Sequence, residues 1–514
     1  MSASPAATES SATSAPQGLD RELMVVASVV ILGVIMSILD ITVVNVAINT
    51  LAREFETTLP TIQWVATGYT LALATVIPLT GWAADRFGTK RIYLTSIVLF
   101  VTGSALSGIA WSSEALIGFR VLQGLGGGML MPAVMTILTH AAGPHRIGRM
   151  MAVIGIPMLL APIFGPILGG WLVDDFSWRW IFFINLPIGI VALIGAYRVL
   201  PRDVSQAHHR LDWLGLVLLS PSLAAIIYGL AESATSGGFG HAKVLVPIVV
   251  GALAFTAFVW HALRASEPLI DLRLFRNRTF STASITLILM IISVFGGMLL
   301  LPLYLQVNRG ETAMDTGLLL APQGLGAMLA MPIAGRLSDM TGVGRIVPFG
   351  LLAVAVSFLG LTQLEGDTSY WLLGGLLFLM GVGMGFSMMP LMSGALQTLR
   401  KATVARASTA INIIQQVGAS IGTAVLSILL TNELKERLPD SGGSRGAGGS
   451  INDLPSDVRE RVAALMADAF GATFWYALGL VVLAVVVAVV LLPKQRPPAP
   501  EGDSEEAAAP LMMG

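Results

Sequence analysis

Cysteine is absent from all 514 residues, and charge is scarce: Asp, Glu, Lys and Arg together make up 12% of the chain. The first absence removes disulfides, thiol catalysis and cysteine-ligated metals. The second removes the ordinary soluble classes, whose chains average about 25% charged. No sign of charge predominates either, since the net charge is −1, so nucleic acid finds no electrostatic footprint. The six histidines (140, 145, 208, 209, 241 and 261) fall into no metal-ligand spacing. A phosphate loop of the form G-x-x-x-x-G-K-S/T is also missing, which excludes nucleotide hydrolysis as the energy source. No metal and no cofactor are expected. What the chain does have is apolar sequence, 54% of its residues with a mean hydropathy of +0.77.

That apolar sequence is organised into stretches long enough to cross a bilayer, about 20 residues each. Fourteen are readable: 23–48, 63–82, 92–112, 115–139, 150–172, 180–199, 213–233, 243–264, 281–306, 315–336, 346–364, 371–395, 408–431 and 471–493. An even number puts both ends of the chain on one side. The loops and tails of that side carry 20 Lys and Arg residues, against 9 on the other, five of those in the one long loop 432–470. Basic residues in short loops stay in the cytoplasm, and long loops count little, so both termini are expected to be cytoplasmic. Residues 1–22 and 494–514, rich in Ser, Ala, Pro and Glu, read as disordered cytoplasmic tails. Residues 1–20 also lack the basic n-region of a signal peptide.

Internal duplication follows from two matching helix ends. The second span closes with Gly81-x-x-x-Asp85-Arg86-x-Gly88, and the tenth closes with Gly335-x-x-x-Asp339-x-x-Gly342. A repeat displaced by eight spans implies two six-span halves, 23–199 and 281–493, with two spans and their cytoplasmic linkers inserted at 200–280. The linker Pro268–Phe280 alternates apolar and basic residues and is expected to lie along the membrane surface.

One charge interrupts the first span. Asp40 is the sole charged residue between Leu23 and Ile48, where a carboxylate costs about 2.5–3.5 kcal/mol on insertion scales. Arg120, well inside the fourth span, is its natural partner. Counting residues from the outer helix ends at 1.5 Å each puts the two at similar depth. Gln123, one turn further, is placed to share their hydrogen bonding. Burial and a neighbouring guanidinium act on a carboxylate in opposite directions, so such a residue is suited to loading and releasing a proton. Asp315 and Glu232 stand nearer a membrane face.

Five motifs, in order and on the appropriate spans, resemble the major facilitator superfamily, specifically its fourteen-span drug:H+ antiporters. They are Leu39-Asp40-Ile41-Thr42-Val43-Val44-Asn45, the loop Gly81 to Arg91, Arg120-Val121-Leu122-Gln123-Gly124, Ala161-x-x-x-Gly165-Pro166-x-x-Gly169-Gly170, and Trp178 to Gly189. Two positions depart from the family pattern: Thr89 stands where a basic residue is usual, and Ala161 where glycine is usual. The resemblance covers residues 23 to 493 and implies an all-α membrane fold with alternating access around a midplane site.

On this reading Asp40, Arg120 and Gln123 couple protons. Asp85, Arg86, Gly88, Gly165, Pro166, Gly169, Gly170 and Asp339 gate. Polar, aromatic and Met side chains within the spans are the substrate candidates: Asn45, Trp64, Tyr69, Met129, Tyr304, Gln323, Met388, Asn412, Gln415 and Gln416. A carboxylate beside aromatics favours a lipophilic cation, and abundant Met suits an adaptable cavity. The expected function is proton-coupled export of lipophilic, cation-biased drugs or toxic compounds by a single chain in contact with membrane lipids. A dedicated exporter of an endogenous lipid or secondary metabolite is the alternative. A membrane-embedded enzyme would need a catalytic constellation that the sequence does not offer.

Overall fold

A computed structural model describes residues 21–57, 59–142, 150, 153, 155, 164–165, 167–173, 175–201, 211–235, 238–397, 399, 401–437 and 456–493. Helix is the only regular structure among them. A bilayer offers no water to backbone N–H and C=O groups, so a spanning segment must satisfy them within itself. Thirteen long apolar helices do this. They are α1 (Arg21–Glu54), α2 (Trp64–Phe87), α3 (Thr89–Gly108), α4 (Ser113–Ala142), α5 (Asn185–Val199, entered through the turn Trp180–Phe183), α6 (Trp213–Thr235), α7 (Ala242–Arg264), α8 (Arg278–Leu303), α9 (Ala313–Thr341), α10 (Val343–Leu361), α11 (Tyr370–Gln397), α12 (Lys401–Arg437) and α13 (Ser456–Leu491). Each coincides with one span read from the sequence. The remaining one, 150–172, lies largely outside the described residues, as do the two expected tails.

Local chemistry starts and stops these helices. Asn277 caps α8 by accepting from the amides of Thr279 and Phe280, and Thr312 caps α9 by accepting from that of Asp315. Glu22 in the first turn of α1 and Arg53 in its last complement the helix dipole. The two repeated motifs end in the same backbone geometry. Gly88 has φ 93° and ψ 144°, and Gly342 has φ 87° and ψ 151°, a region that residues with a Cβ rarely enter. Each glycine turns the chain straight into the next helix.

The inserted helices α6 and α7 pack on one another. Through α6 the pair reaches both α2 and α12, so it touches both halves of the bundle. Across the α2–α6 contact, Trp64 stacks on Tyr228 with ring centroids 5.8 Å apart. The following linker is amphipathic, as its pattern suggests. Leu269, Ile270 and Leu274 are buried while Arg273, Arg276 and Arg278 are exposed, around a short 3-10 helix at Leu272–Arg276.

The sequence of the long outer loop, SGGSRGAGGS and then the polar stretch Asp453–Asp468 with helical spacing, reads as a flexible flap. The polar stretch Asp453–Asp468 does not form a separate flap element in its described part. From Ser456 onward it is the first turns of α13, and α12 continues as far as Arg437. Helical spacing in a polar segment extends a spanning helix into water as readily as it builds a free one.

Candidate functional site

Asp40 sits in a closed polar cluster. Arg120 Nη1 donates to Asp40 Oδ2 at 2.5 Å and to Gln123 Oε1 at 2.7 Å. Gln123 Nε2 returns a bond to Asp40 Oδ1 at 2.9 Å, and Asn185 Nδ2 adds another to the same oxygen at 3.1 Å. Asn185 also donates to Ser104 Oγ at 3.1 Å, and Arg120 Nε donates to the carbonyl of Val65 at 3.2 Å. Asp40 and Arg120 are each 1% exposed. The guanidinium lies over the ring of Tyr69, 4.2 Å from its centroid, with Phe182 at 5.8 Å beyond. Four helices therefore converge on one carboxylate: α1 carries it, α4 supplies the cation and one amide, α5 the second amide, and α2 the aromatic support. A buried pair of this kind is weak evidence for stability, because desolvation offsets the Coulomb gain.

A second ion pair joins the two halves. Asp85 at the end of α2 lies 3.5 Å from Arg406 Nε in α12, both side chains about one-sixth exposed. Nearby, Gly81 is packed so closely on α12 that a Cβ would stand 2.8 Å from Thr409 Oγ1. Gly155 likewise packs on Met331 and Met389 of the second half. These contacts lie toward the end of the bundle where α1 begins and α13 finishes. Lys90, two residues past Gly88, donates to the carbonyls of Tyr197 and Leu200 and so caps α5. Arg86 is exposed at the helix end.

Between the halves is a cavity of about 250 Å³. Ser37, Ile38 and Ile41 of α1 line it with Gly127, Gly128 and Met131 of α4. The second half contributes Phe295, Met298, Met384, Met388, Met389, Asn412, Gln415 and Gln416. Among the described residues its wall holds five methionines, four polar side chains and no charged one.

The substrate candidates divide accordingly. Met388, Asn412, Gln415 and Gln416 line the cavity; five others do not. Tyr69 is buried under Arg120. Trp64 is 41% exposed against α6. Tyr304 donates to the carbonyl of Glu365 at 2.6 Å. Gln323 is buried and directed at Met384 Sδ, 3.3 Å away. Met129 faces away from the cavity, because helical phase puts 127, 128 and 131 on the exposed side of α4. The carboxylate is also off the wall, so direct pairing of Asp40 with a cation is not what shapes this cavity.

Gly165 and Gly169 of the fifth span pack on Thr42 and Val43 of α1, while a Cβ at Gly170 would meet nothing within 4 Å. Pro166 and the side chains of Asn45 and Asp339 lie outside the described set. Sequence reasoning gave no role to Arg406, Asn185 or Ser37. Asn185 carried a signal, being an amide inside an apolar span. Arg406 read simply as one more basic residue at a cytoplasmic helix end.

A buried charge cluster in one half, an ion pair between the halves and a cavity between them are the parts that a membrane carrier built of two halves needs. The Major Facilitator Superfamily pattern matches residues 30–423, and the chain belongs to that superfamily of multi-pass membrane transporters. It is 44% identical over 499 residues to the multidrug resistance protein B homolog of Mycobacterium tuberculosis, covering 94% of this chain and 92% of the relative. It is 32% identical over 417 residues to the multidrug export protein EmrB of Escherichia coli, covering 80% and 81%. Among solved structures it resembles the proton:xylose symporter XylE, with TM-score 0.60, 14% identity and 93% and 97% coverage. The human organic anion transporter MFSD10 is similar as well, with TM-score 0.59, 14% identity and 90% and 100% coverage.

Proposed function

We propose that this protein is a proton-coupled antiporter that exports small lipophilic compounds across the cytoplasmic membrane, working as a single chain. The names of the relatives support multidrug export. The observation that carries proton coupling is the Asp40–Arg120–Gln123–Asn185 cluster. It holds a carboxylate with its hydrogen-bond partners at membrane depth, shielded from solvent and off the substrate wall.

In the cycle, Asp40 alternates between a charged form paired with Arg120 and a protonated form that leaves Arg120 free. With both termini cytoplasmic, the Asp85–Arg406 pair closes the cytoplasmic end in the form that releases substrate outward. Proton uptake at Asp40 then favours return to the inward-facing form, where a new substrate enters as the proton leaves. Methionines adapt to ligands of different outline, and the amides of Asn412, Gln415 and Gln416 offer donors and acceptors without charge. The substrate class is therefore lipophilic and neutral, or cationic with delocalised charge.

Dye efflux from proteoliposomes under an imposed pH gradient tests the proposal. Asp40→Asn and Arg120→Ala should abolish it, and Arg120→Lys should keep a part, having the charge without the planar fork. Breaking one side of a buried pair costs about 3–5 kcal/mol, so Asp40→Asn is compared with a double variant, Asp40→Asn with Arg120→Gln, which leaves no charge stranded. Efflux near that of the unmodified protein in either variant overturns the role of Asp40.

A further inference from the structure

An antiporter must make its two cargoes compete, yet here the cavity and the carboxylate are apart. Tyr69 stands between them. Its hydroxyl is 3.1 Å from Ser37 Oγ, and Ser37 lines the cavity one turn before Asp40 on α1. The other face of that hydroxyl rests on Gly127, also a cavity residue, where a Cβ would approach Tyr69 Oη to 2.5 Å. Glycine is thus required there by space. The face of the same ring supports the guanidinium of Arg120. Tyr69 is 1% exposed, so it meets the cavity through neighbours such as these two.

We propose that Tyr69, seated on Ser37, is the positioning residue that transmits substrate occupancy to the Asp40–Arg120 pair; this rests on the reading of Asp40 as proton carrier. While Asp40 is ionised, Arg120 is held between carboxylate and ring, and Tyr69 keeps its seat. Protonation of Asp40 releases Arg120, the cation–π contact that holds the ring is lost, and Tyr69, already in contact with Ser37 and Gly127, pushes these two wall residues into the cavity and narrows it. A bound substrate blocks that movement and so favours the ionised carboxylate. By linkage the proton weakens substrate binding by the same factor. Among the described residues, the titratable or charged groups placed against Asp40 are Arg120 from α4 and Tyr69 from α2; Gln123 and Asn185 from α4 and α5 are neutral.

The test uses tetraphenylphosphonium, whose charge does not titrate, bound to the purified full chain at pH 6 and pH 8. The readout is the ratio of the two Kd values. For the unmodified protein the ratio should fall within the range of about 5 to 150 typical of coupled sites, with weaker binding at pH 6. Tyr69→Phe keeps the ring and its contact with Arg120 and loses only the hydroxyl. Ser37→Ala removes the other half of the same hydrogen bond. Both should bring the ratio below about 2, on the scale of the coupling factors just cited. A steep ratio retained in both variants overturns the role of Tyr69 and leaves Asp40 standing. A uniform loss of affinity at both pH values, with the ratio unchanged, also overturns it and makes the pair an ordinary wall contact. A flat ratio in the unmodified protein overturns proton linkage at Asp40 itself, and this proposal with it.

Discussion

Asp85 of the first half and Arg406 of the second form an ion pair across the bundle at 3.5 Å. Both side chains keep some contact with solvent, so the pair is worth about 0.2–1 kcal/mol. That is too little to hold a fold together. It suffices to bias two conformations of nearly equal energy.

Asp85→Asn or Arg406→Gln should therefore leave expression near normal and shift the population of the closed end by a factor of about 1.4 to 5, with slower turnover. The absence of native cysteine allows spin labels at Arg86→Cys and Arg336→Cys, in different halves, to report this as a longer distance distribution. An unchanged distribution with normal turnover per folded molecule makes Asp85 a simple helix-end residue.

Gly165 meets Thr42 in space that admits no side chain. Gly165→Ala should slow efflux, and Thr42→Gly in the same chain should restore part of it, because the obstacle is the whole Thr42 side chain, its Cβ included. Overpacking of this kind costs about 1–3 kcal/mol. If the double variant is as slow as the single, the two helices do not meet as described, and thermal unfolding of both variants would show the same loss.

Asn412→Leu and Met388→Ala alter the cavity wall and should change KM for efflux by different factors for dyes of different shape. Tyr304→Phe and Gln323→Leu lie off the wall and should move KM by less than about 2-fold, a change worth under about 0.4 kcal/mol. Equal effects in the two pairs would place substrate elsewhere.

Topology is checked with reporter fusions at residue 445 and at the C-terminus. Twenty basic residues on one side, against 9 on the other with five in a long loop, predict that the C-terminal reporter is cytoplasmic and the internal one is not. The same side for both contradicts the assignment.

The sequence by itself determined the class of molecule, the positions of its spans and the pairing of Asp40 with Arg120. Hydrophobic length is a property of the local chain, and α1 to α13 each fall on a run that can be counted. Asp40 and Arg120 were paired by depth alone, since residues at one level of a bilayer have few charged alternatives. Helix ends were legible too, because Gly88 and Gly342 adopt backbone angles that few other residues tolerate. Tertiary structure decided which face of each helix meets which neighbour. In an all-round apolar helix the sequence carries little periodic signal to set its rotation. Hence Tyr69 moved from the substrate wall to the charge cluster, Met131 rather than Met129 lines the cavity, and Arg406, 321 positions from Asp85 along the chain, pairs with it across the bundle. Packing of small residues and ridges between helices, which no single segment encodes, fixed those rotations.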